Sequence, residues 1–458
     1  MAKRLFGTDG IRGLAGEFPL DQDTVVRIGR SLTKNLEMEI GRPPRIIIGR
    51  DTRESGPAIE RALAKGAHQA GAYVESAGVI TTPGVAFLAH SENFDAGVVI
   101  SASHNPFRDN GIKVFSRSGR KIDDSMERSI EEDLDGAKAV TQPAAIQNDN
   151  DSGQEGFQAH YDQSHVDRYI AFLTGNVGNG LSLSGLRLGL DCANGAAYKI
   201  APEVFARLGA EVHVLSVEPD GKNINEGCGS LHPDALIKLV REKGLDLGIA
   251  FDGDADRSLF VDASGELVDG DHTMLIIAEY MKSAGELKSN AVVTTVMSNI
   301  GLELALAERG IQIVRTNVGD RFVLEELLSR GAEFGGEQSG HMIFTNISLA
   351  GDGIITSIEL IRAVLASGAS LHDLASQLTK YPQVLINFKV HSKPPLDTLP
   401  AVTAEINEIE RELQGKGRLL VRYSGTENVA RVMIEGKNQS AIQEQAERLA
   451  AVIKREIG

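Results

Sequence analysis

A strand, an amphipathic helix stopped by a glycine, and a second strand recur three times along this chain, and no other feature narrows the fold as far. The first copy runs Ile46-Ile47-Ile48, a helix near Ala58 to Gln69 ended by Gly71, then Tyr73-Val74. The second runs Leu186 to Leu190, a helix near Ala201 to Leu208 ended by Gly209, then Val212 to Leu215. The third runs Val292-Val293, a helix near Leu302 to Glu308 ended by Gly310, then Ile311 to Val314. Strands joined through a helix run in the same direction, so the expected class is α/β, with three similar domains and mixed, largely parallel sheets. At 458 residues the chain exceeds one core, and about three or four domains is the natural number. Gln142 to Gln158, rich in Asn, Asp, Gly and Gln, reads as a boundary loop, against the alternative of one large doubly wound sheet. A second boundary falls around Tyr381 and Pro382. Beyond it an alternating strand (Val384 to Val390), a turn at Pro394-Pro395, a helix from about Val402 to Leu413, two short strands and a last helix make an α+β tail.

Charge and cysteine content exclude several partners. A net charge of -16 argues against a nucleic-acid backbone, which needs a basic face, but leaves room for a small anionic substrate held by a few local arginines. Cys192 and Cys228 match neither a disulfide framework nor a zinc pattern, and a reducing cytoplasm is the expected location. Lys3 and Arg4 precede no apolar stretch, and no run approaches the roughly 18 to 20 apolar residues of a membrane span.

The chemistry concentrates in a few short stretches. Asp252-Gly253-Asp254-Ala255-Asp256-Arg257 sets three carboxylates at alternate positions between two apolar runs. In an extended loop alternate side chains point one way, so the three can converge on a hard divalent cation. An EF-hand would need Gly where Arg257 stands and Glu where Ala263 stands, and a solvated acidic turn is the bland alternative. The apolar strand Ala96 to Ile100 runs into Ser101-Ala102-Ser103-His104-Asn105-Pro106, which puts serines at a strand exit, where open α/β sheets bind ligands. No G-x-S-x-G elbow surrounds them, and His104 is too close in sequence to serve as a triad base. Gly335-Gly336-Glu337-Gln338-Ser339-Gly340-His341 suits a polyhydroxylated ligand, with Glu337 and Ser339 facing one side to bind vicinal hydroxyls or an amine. Arg422-Tyr423-Ser424-Gly425-Thr426-Glu427-Asn428, followed by Arg431, brackets hydroxyls and a glycine with two arginines, a phosphate cradle that is not a P-loop. Arg12, in a glycine-rich opening, and Lys113, in a strand-like stretch from Gly111 to Phe115, are cations without an evident structural duty, for which a surface role is the default.

The series FGTDGIRG, ISASHNP, NGIKVFS, DGDADR, GGEQSGH and RYSGTEN resembles the α-D-phosphohexomutase superfamily from end to end. Two details, the opening LFGTDGIRG and the EQS triplet, resemble its bacterial phosphoglucosamine mutase branch. The resemblance implies four domains around a central cleft: a phosphoserine domain (1–157), a metal-binding domain (158–256), a sugar-binding domain (257–372) and a phosphate-binding domain (373–458). It implies phosphate carried covalently on Ser103, and one magnesium ion per subunit held by Asp252, Asp254, Asp256 and the Ser103 phosphate. Lys113, Arg12 and His341 become the acid, base or charge-stabilising candidates, with His104, Asn105 and Arg257 in support. Glu337 and Ser339 would grip the sugar, and Arg422, Ser424, Gly425, Thr426 and Arg431 the non-reacting phosphate.

The implied reaction converts glucosamine 6-phosphate to glucosamine 1-phosphate through a bisphosphate, an isomerase activity feeding UDP-N-acetylglucosamine and peptidoglycan precursors. The implied partners are a hexosamine phosphate, an activating kinase or bisphosphate donor, and no membrane or nucleic acid, in a monomer or homodimer. Three rivals use parts of the same machinery: a phosphoglucomutase/phosphomannomutase, a metal-dependent phosphatase with Asp252 as nucleophile, and a non-catalytic sugar-phosphate binder. Tyr423 and Asn428 stand where the commoner family loop has prolines, which puts the stiffness of that loop in question.

Overall fold

The computed structural model describes residues 5–7, 9–138, 159–414, 416–424 and 428–458. The expected boundary loop from Gln142 to Gln158 lies outside the described residues, as do Gly425 and Thr426. The chain divides into two compact units, one comprising Met1–Val296 and Val314–Ala375, the other Met297–Ile313 and Ser376–Gly458.

Three sheets are built on one plan. In the first, strands Arg45–Arg50, Tyr73–Val79 and Ala96–Ile100 alternate with helices Gly56–Gln69 and Thr82–Ser91, and all three strands run parallel. Strand Asp109–Ser116 then returns antiparallel beside Ala96–Ile100. The second sheet repeats this order with Arg187–Asp191, Glu211–Leu215 and Leu247–Phe251, and Ser258–Asp262 returns antiparallel. The third has Ala291–Thr295, Gln312–Thr316 and Phe334–Gly336, with Met342–Phe344 antiparallel at its edge. Mixed sheets with parallel centres are therefore what the repeats build. The three loops singled out in the sequence, at Ser103, Asp252 and Glu337, occupy the same place in each copy, the connection from the third parallel strand to its antiparallel neighbour.

Sequence explains why these elements form. Ile46, Ile47 and Ile48 are all fully buried, as a strand with helices on both faces requires. Helix Gln22–Ile40 starts at Asp21, whose carboxylate accepts from the Thr24 N–H at 3.0 Å, and ends at Gly41 in the left-handed region. That helix nests against Gly56–Gln69 because Gly29 and Gly66 lack side chains: a Cβ on either would lie 2.2 Å or 1.9 Å from the facing backbone carbonyl oxygen.

The second unit holds the α+β tail, an antiparallel sheet of Gln383–Lys389, Val429–Glu435 and Arg418–Tyr423 backed by helices Pro400–Leu413 and Gln439–Ile457. It also takes in helix Ile300–Glu308 of the third repeat. Asn299 donates to the Tyr381 carbonyl at 2.9 Å, and the Ile300 N–H donates to buried Glu435 at 3.1 Å. Among the described residues no helix is long and apolar enough to cross a membrane. Both cysteines are buried free thiols.

Candidate active site

Ser103 follows strand Ala96–Ile100 with φ near 52°, a left-handed conformation that costs a non-glycine residue energy unless its surroundings enforce it. Here they do. The Ser103 N–H donates to Ser101 Oγ at 2.9 Å, and Ser101 donates to Asp51 at 2.6 Å. Arg53, fully buried and paired with Asp51 at 2.8 Å, donates to the Ser103 and Asn105 carbonyls at 2.9 Å each. Asn225, from the second repeat, donates to the same two carbonyls at 2.9 and 3.1 Å. The serine loop is thus gripped from two sides by amide and guanidinium donors.

The result is a hydroxyl aimed at the acidic loop: Ser103 Oγ donates to Asp252 at 2.5 Å, both residues being buried. The three aspartates do converge, with one oxygen of each within 4.8 Å of the others. They converge on a turn, however, and not on the extended loop expected from their alternation. Ala255 adopts φ near 57°, its N–H returns to the Asp252 carbonyl at 3.1 Å, and the Arg257 N–H donates to Asp252 Oδ1 at 3.2 Å. Coiling the backbone brings three short side chains closer than a pleated segment would, since residues two apart in a strand stand well separated along it.

Gly253 lets the two loops meet. A Cβ there would stand 2.5 Å from the Ser103 carbonyl oxygen and 2.8 Å from the Asn225 amide nitrogen. Gly253→Ala is expected to cost about 1–3 kcal/mol of stability by overpacking. It should also cut kcat/KM by about a hundredfold as serine and acids separate. Thermal melts and steady-state assays check both.

Lys113 is the buried cation of the site, only 1% exposed, so the surface role expected for it does not hold. Its ammonium lies 3.0 Å from Asp254, 3.0 Å from Asp9 and 3.5 Å from Asp256. Burial opposes its charge, but the three carboxylates outweigh burial and hold its pKa well above the ordinary lysine value. Burial likewise opposes the charge of Asp256, yet Lys113 and His341 hold its carboxyl well below the usual range. Asp252 behaves oppositely: burial, then the neighbouring charges of Asp256 and Asp254, push its pKa well up. The trio is therefore short of positive charge. Asp254 Oδ1 and Asp256 Oδ1 are buried and have no hydrogen-bond partner among the described residues. Orphaned carboxylate oxygens beside a carboxylate driven toward its neutral form fit a divalent cation, and an all-oxygen set suits magnesium.

Of the other candidates, Arg12, His104, Arg257, Glu337 and His341 line a cleft of about 510 Å³, whose walls also include Asp9, Asp256, Gly319 and Asp320. Arg12 donates to the Ala102 carbonyl at 3.2 Å and to Asn105 at 3.3 Å, and pairs with Asp9 at 2.5 Å. Asn105 in turn donates to Asp109 at 2.8 Å, so it braces the serine loop. His104 Nδ1 lies 3.4 Å from Ser103 Oγ, and burial, then Arg257 and Arg12, lower its pKa. His341 stands 3.7 Å from Asp256 and 3.9 Å from Asp320; burial opposes its charge, but the carboxylates prevail and raise its pKa. Arg257 Nε is 3.7 Å from Asp256. Glu337 accepts from the Gly319 N–H at 3.1 Å and from Ser339 at 3.5 Å.

Four residues carry the network without having stood out in the sequence. Asp9 lies inside the FGTDGIRG stretch, and its carboxylate gathers Arg12, Lys113 and Lys121. Lys121 bridges Asp9 and Asp320 at 2.6 Å each. Thr82 donates to Asp254 at 2.6 Å. Thr82 and Asp320 each open the second helix of their repeat, Thr82–Ser91 and Asp320–Arg330, so the three-fold plan could have pointed to both.

In the second unit, Arg422 and Arg431 are direct partners across neighbouring strands. Two like charges so placed repel, and burial, then Arg431, lower the pKa of Arg422. Arg431 Nε is buried and has no partner among the described residues. Ser424 is buried, and its carbonyl accepts from Lys393 at 2.8 Å. Tyr423, in place of the more usual proline, donates its hydroxyl to the Pro394 carbonyl at 2.8 Å, which tethers the strand end by another means.

Comparison with known proteins gives four matches in order along the chain. Signatures described as phosphoglucomutase/phosphomannomutase alpha/beta/alpha domains I, II and III match residues 3–140, 167–265 and 269–381, and the C-terminal domain signature matches 385–452. The chain is 47% identical to a phosphoglucosamine mutase of Solibacter usitatus over the full length of both proteins. It is 45% identical to one of Syntrophotalea carbinolica, covering all of this chain and 99% of that one. A phosphoglucomutase/phosphomannomutase family protein from Burkholderia thailandensis shares the fold at a TM-score of 0.79 and 24% identity, covering 100% of this chain and 99% of that one. The N-acetylphosphoglucosamine mutase of Aspergillus fumigatus, solved with GlcNAc-6P and magnesium, shares it at 0.65 and 18%, covering 98% and 95%. Four matched domains in order, and near-half identity across the whole length, make this chain a member of the phosphoglucomutase/phosphomannomutase family, within its phosphoglucosamine mutase group.

Proposed function

We propose that the chain interconverts glucosamine 6-phosphate and glucosamine 1-phosphate, with Ser103 carrying the phosphoryl group between them. The observation that carries this reading is the Ser103 hydroxyl, held in a left-handed turn 2.5 Å from Asp252 at the edge of an acidic trio. A phosphoserine adds about 1.5 to 2 negative charges at neutral pH, so it needs cations around it. Asp252, Asp254 and Asp256 would hold magnesium, which when bound supplies charge neutralisation for phosphoryl transfer. Lys113 pairs with two of those acids, Asp254 and Asp256, and orients them. Arg12 braces the serine loop at the cleft wall, and His341, tuned by Asp256, is the group placed to hold or move a proton on the sugar side of the cleft. Glu337 and Ser339 are offered as the sugar contacts. Arg422, Ser424 and Arg431, with the Gly425-Thr426 stretch, are offered as the grip on the non-reacting phosphate.

The glucosamine substrate is supported by the full-length relatives named phosphoglucosamine mutase. The reading carries with it one magnesium ion per subunit, covalent phosphate on Ser103 and a cytoplasmic location in amino-sugar metabolism. It also carries the four-domain division at residues 157, 256 and 372. Phosphopeptide mass spectrometry of the purified chain, with coupled assays on glucosamine, glucose and mannose 6-phosphates, tests it: phosphate on Ser103 and a preference for the amino sugar are expected. Phosphate absent from Ser103 after incubation with sugar bisphosphate would sink the reading. Arg431→Gln should raise KM for the sugar phosphate by about one to two orders of magnitude, the worth of a lost charged hydrogen bond, as steady-state kinetics can show.

A further inference from the structure

Asp320 is a carboxylate of the cleft that, among the described residues, pairs with neither Ser103 nor the aspartate trio. It opens helix Asp320–Arg330, lines the same cleft as Asp256, Glu337 and His341, and its side chain is 22% exposed. One oxygen, Oδ2, takes Lys121 at 2.6 Å and lies 3.9 Å from His341 Nε2. The other, Oδ1, has no partner among the described residues. The neighbouring Gly319 donates its N–H to Glu337 Oε1 at 3.1 Å, so Asp320 is fixed one residue from the side chain offered as the sugar grip.

The other carboxylates of the cleft are committed. Asp9 is shared by three cations; Asp256 pairs with Lys113 and His341, and its remaining oxygen belongs to the aspartate trio. Glu337 already accepts on both oxygens, from Gly319 and Ser339, donors that a sugar hydroxyl can supplement. A neutral hexose phosphate presents only hydroxyls and a phosphate. An extra acid in its cleft would gain no counter-charge from such a substrate and would repel the phosphate. A 2-amino sugar phosphate presents an ammonium, which a carboxylate with one open oxygen meets by a charge-assisted hydrogen bond.

We propose that Asp320 reads the 2-ammonium group of the amino-sugar phosphate through Oδ1, and so sets the preference of this cleft for glucosamine phosphates over neutral hexose phosphates. This rests on the function proposed above and deepens it.

The test compares kcat/KM for glucosamine 6-phosphate and glucose 6-phosphate in the full-length chain, in Asp320→Asn, in Asp320→Glu and in Lys121→Met. The ratio of the two values should fall by about tenfold or more in Asp320→Asn, through a KM rise specific to the amino sugar. Asp320→Glu keeps the charge and should recover part of the preference. Lys121→Met removes the ion pair but keeps the acid, and should retain the preference even as both rates fall. A ratio in Asp320→Asn within about threefold of the parent overturns the proposal. So does an equal collapse of the ratio in Lys121→Met, which would make the pair a structural link alone. A parent chain with no preference for the amino sugar defeats the proposed function as well. A preference that survives Asp320→Asn defeats this inference only.

Discussion

Ser103→Ala is expected to abolish mutase turnover, by about four orders of magnitude or more, in a protein that still folds. Residues that act as one chemical unit lose nearly everything when the nucleophile goes, because binding and electrostatics alone leave a small remainder. The stability cost should be small, about 0.5–1.5 kcal/mol for the lost hydrogen bond to Asp252. The left-handed backbone at residue 103 is held by Arg53 and Asn225 through the carbonyl, not the hydroxyl, so alanine inherits the turn. A coupled assay supplied with sugar bisphosphate, run beside a thermal melt, reads both quantities. Substantial activity in the variant would transfer the nucleophile to another residue, with Asp252, as in a phosphatase, the first to examine.

Lys113→Ala should be the most destabilising single change in the site and nearly as damaging to catalysis. Removing one partner from a buried ion pair costs about 3–5 kcal/mol, because the carboxylates left behind lose their counter-charge while staying out of water. Lys113 serves Asp9, Asp254 and Asp256 together; Asp9 keeps Arg12 and Lys121, so Asp254 and Asp256 are the acids left to satisfy. Two further readouts separate this cause from simple cavity formation. Carboxylates deprived of the ammonium have folded-state pKa values shifted upward, so the lost stability should return as pH falls and grow as pH rises. Added magnesium should raise the melting temperature of the variant more than that of the parent, since an ion bound only by the folded state stabilises it. A variant as stable as the parent, and indifferent to magnesium, would show that the trio does not depend on this lysine.

Local pattern and hydrogen-bond topology divide what was readable in the chain. Isoleucines 46 to 48, the glycine stops at 71, 209 and 310, and the alternation of Val384 to Val390 each follow from a short-range period, and the structure forms elements at all of them. The common plan was only half visible: the second helices of the later repeats end at Gly244 and Gly331, but Thr82–Ser91 ends at Glu92 with no glycine stop to match them. In the site, residues that sit in dense polar strings, such as Ser103 and the aspartate trio, were conspicuous. Lys121 and Asp320 were not: they meet across 199 positions, and nothing in the local sequence of either marks a partner so distant. The aspartate spacing misled in one respect, since alternation implies pleated geometry while Ala255 turns left-handed. Arg53 was silent for a similar reason, its donors serving carbonyls that any sequence would offer.

Helix Ile300–Glu308 belongs to the same compact unit as the C-terminal sheet, although Val314–Ala375, which lie between them along the chain, belong to the first unit. Anyone trimming the gene for expression therefore faces a knotty choice of end points. A fragment beginning at Ser376 would lack the segment that supplies Asn299 and Ile300 to Tyr381 and Glu435, leaving the Glu435 carboxylate short of donors. The complementary product, ending at Ala375, would carry an apolar helix stripped of its cover. Neither half is a ready-made module, and co-expression of both pieces is the route by which a split version of this protein should be recovered.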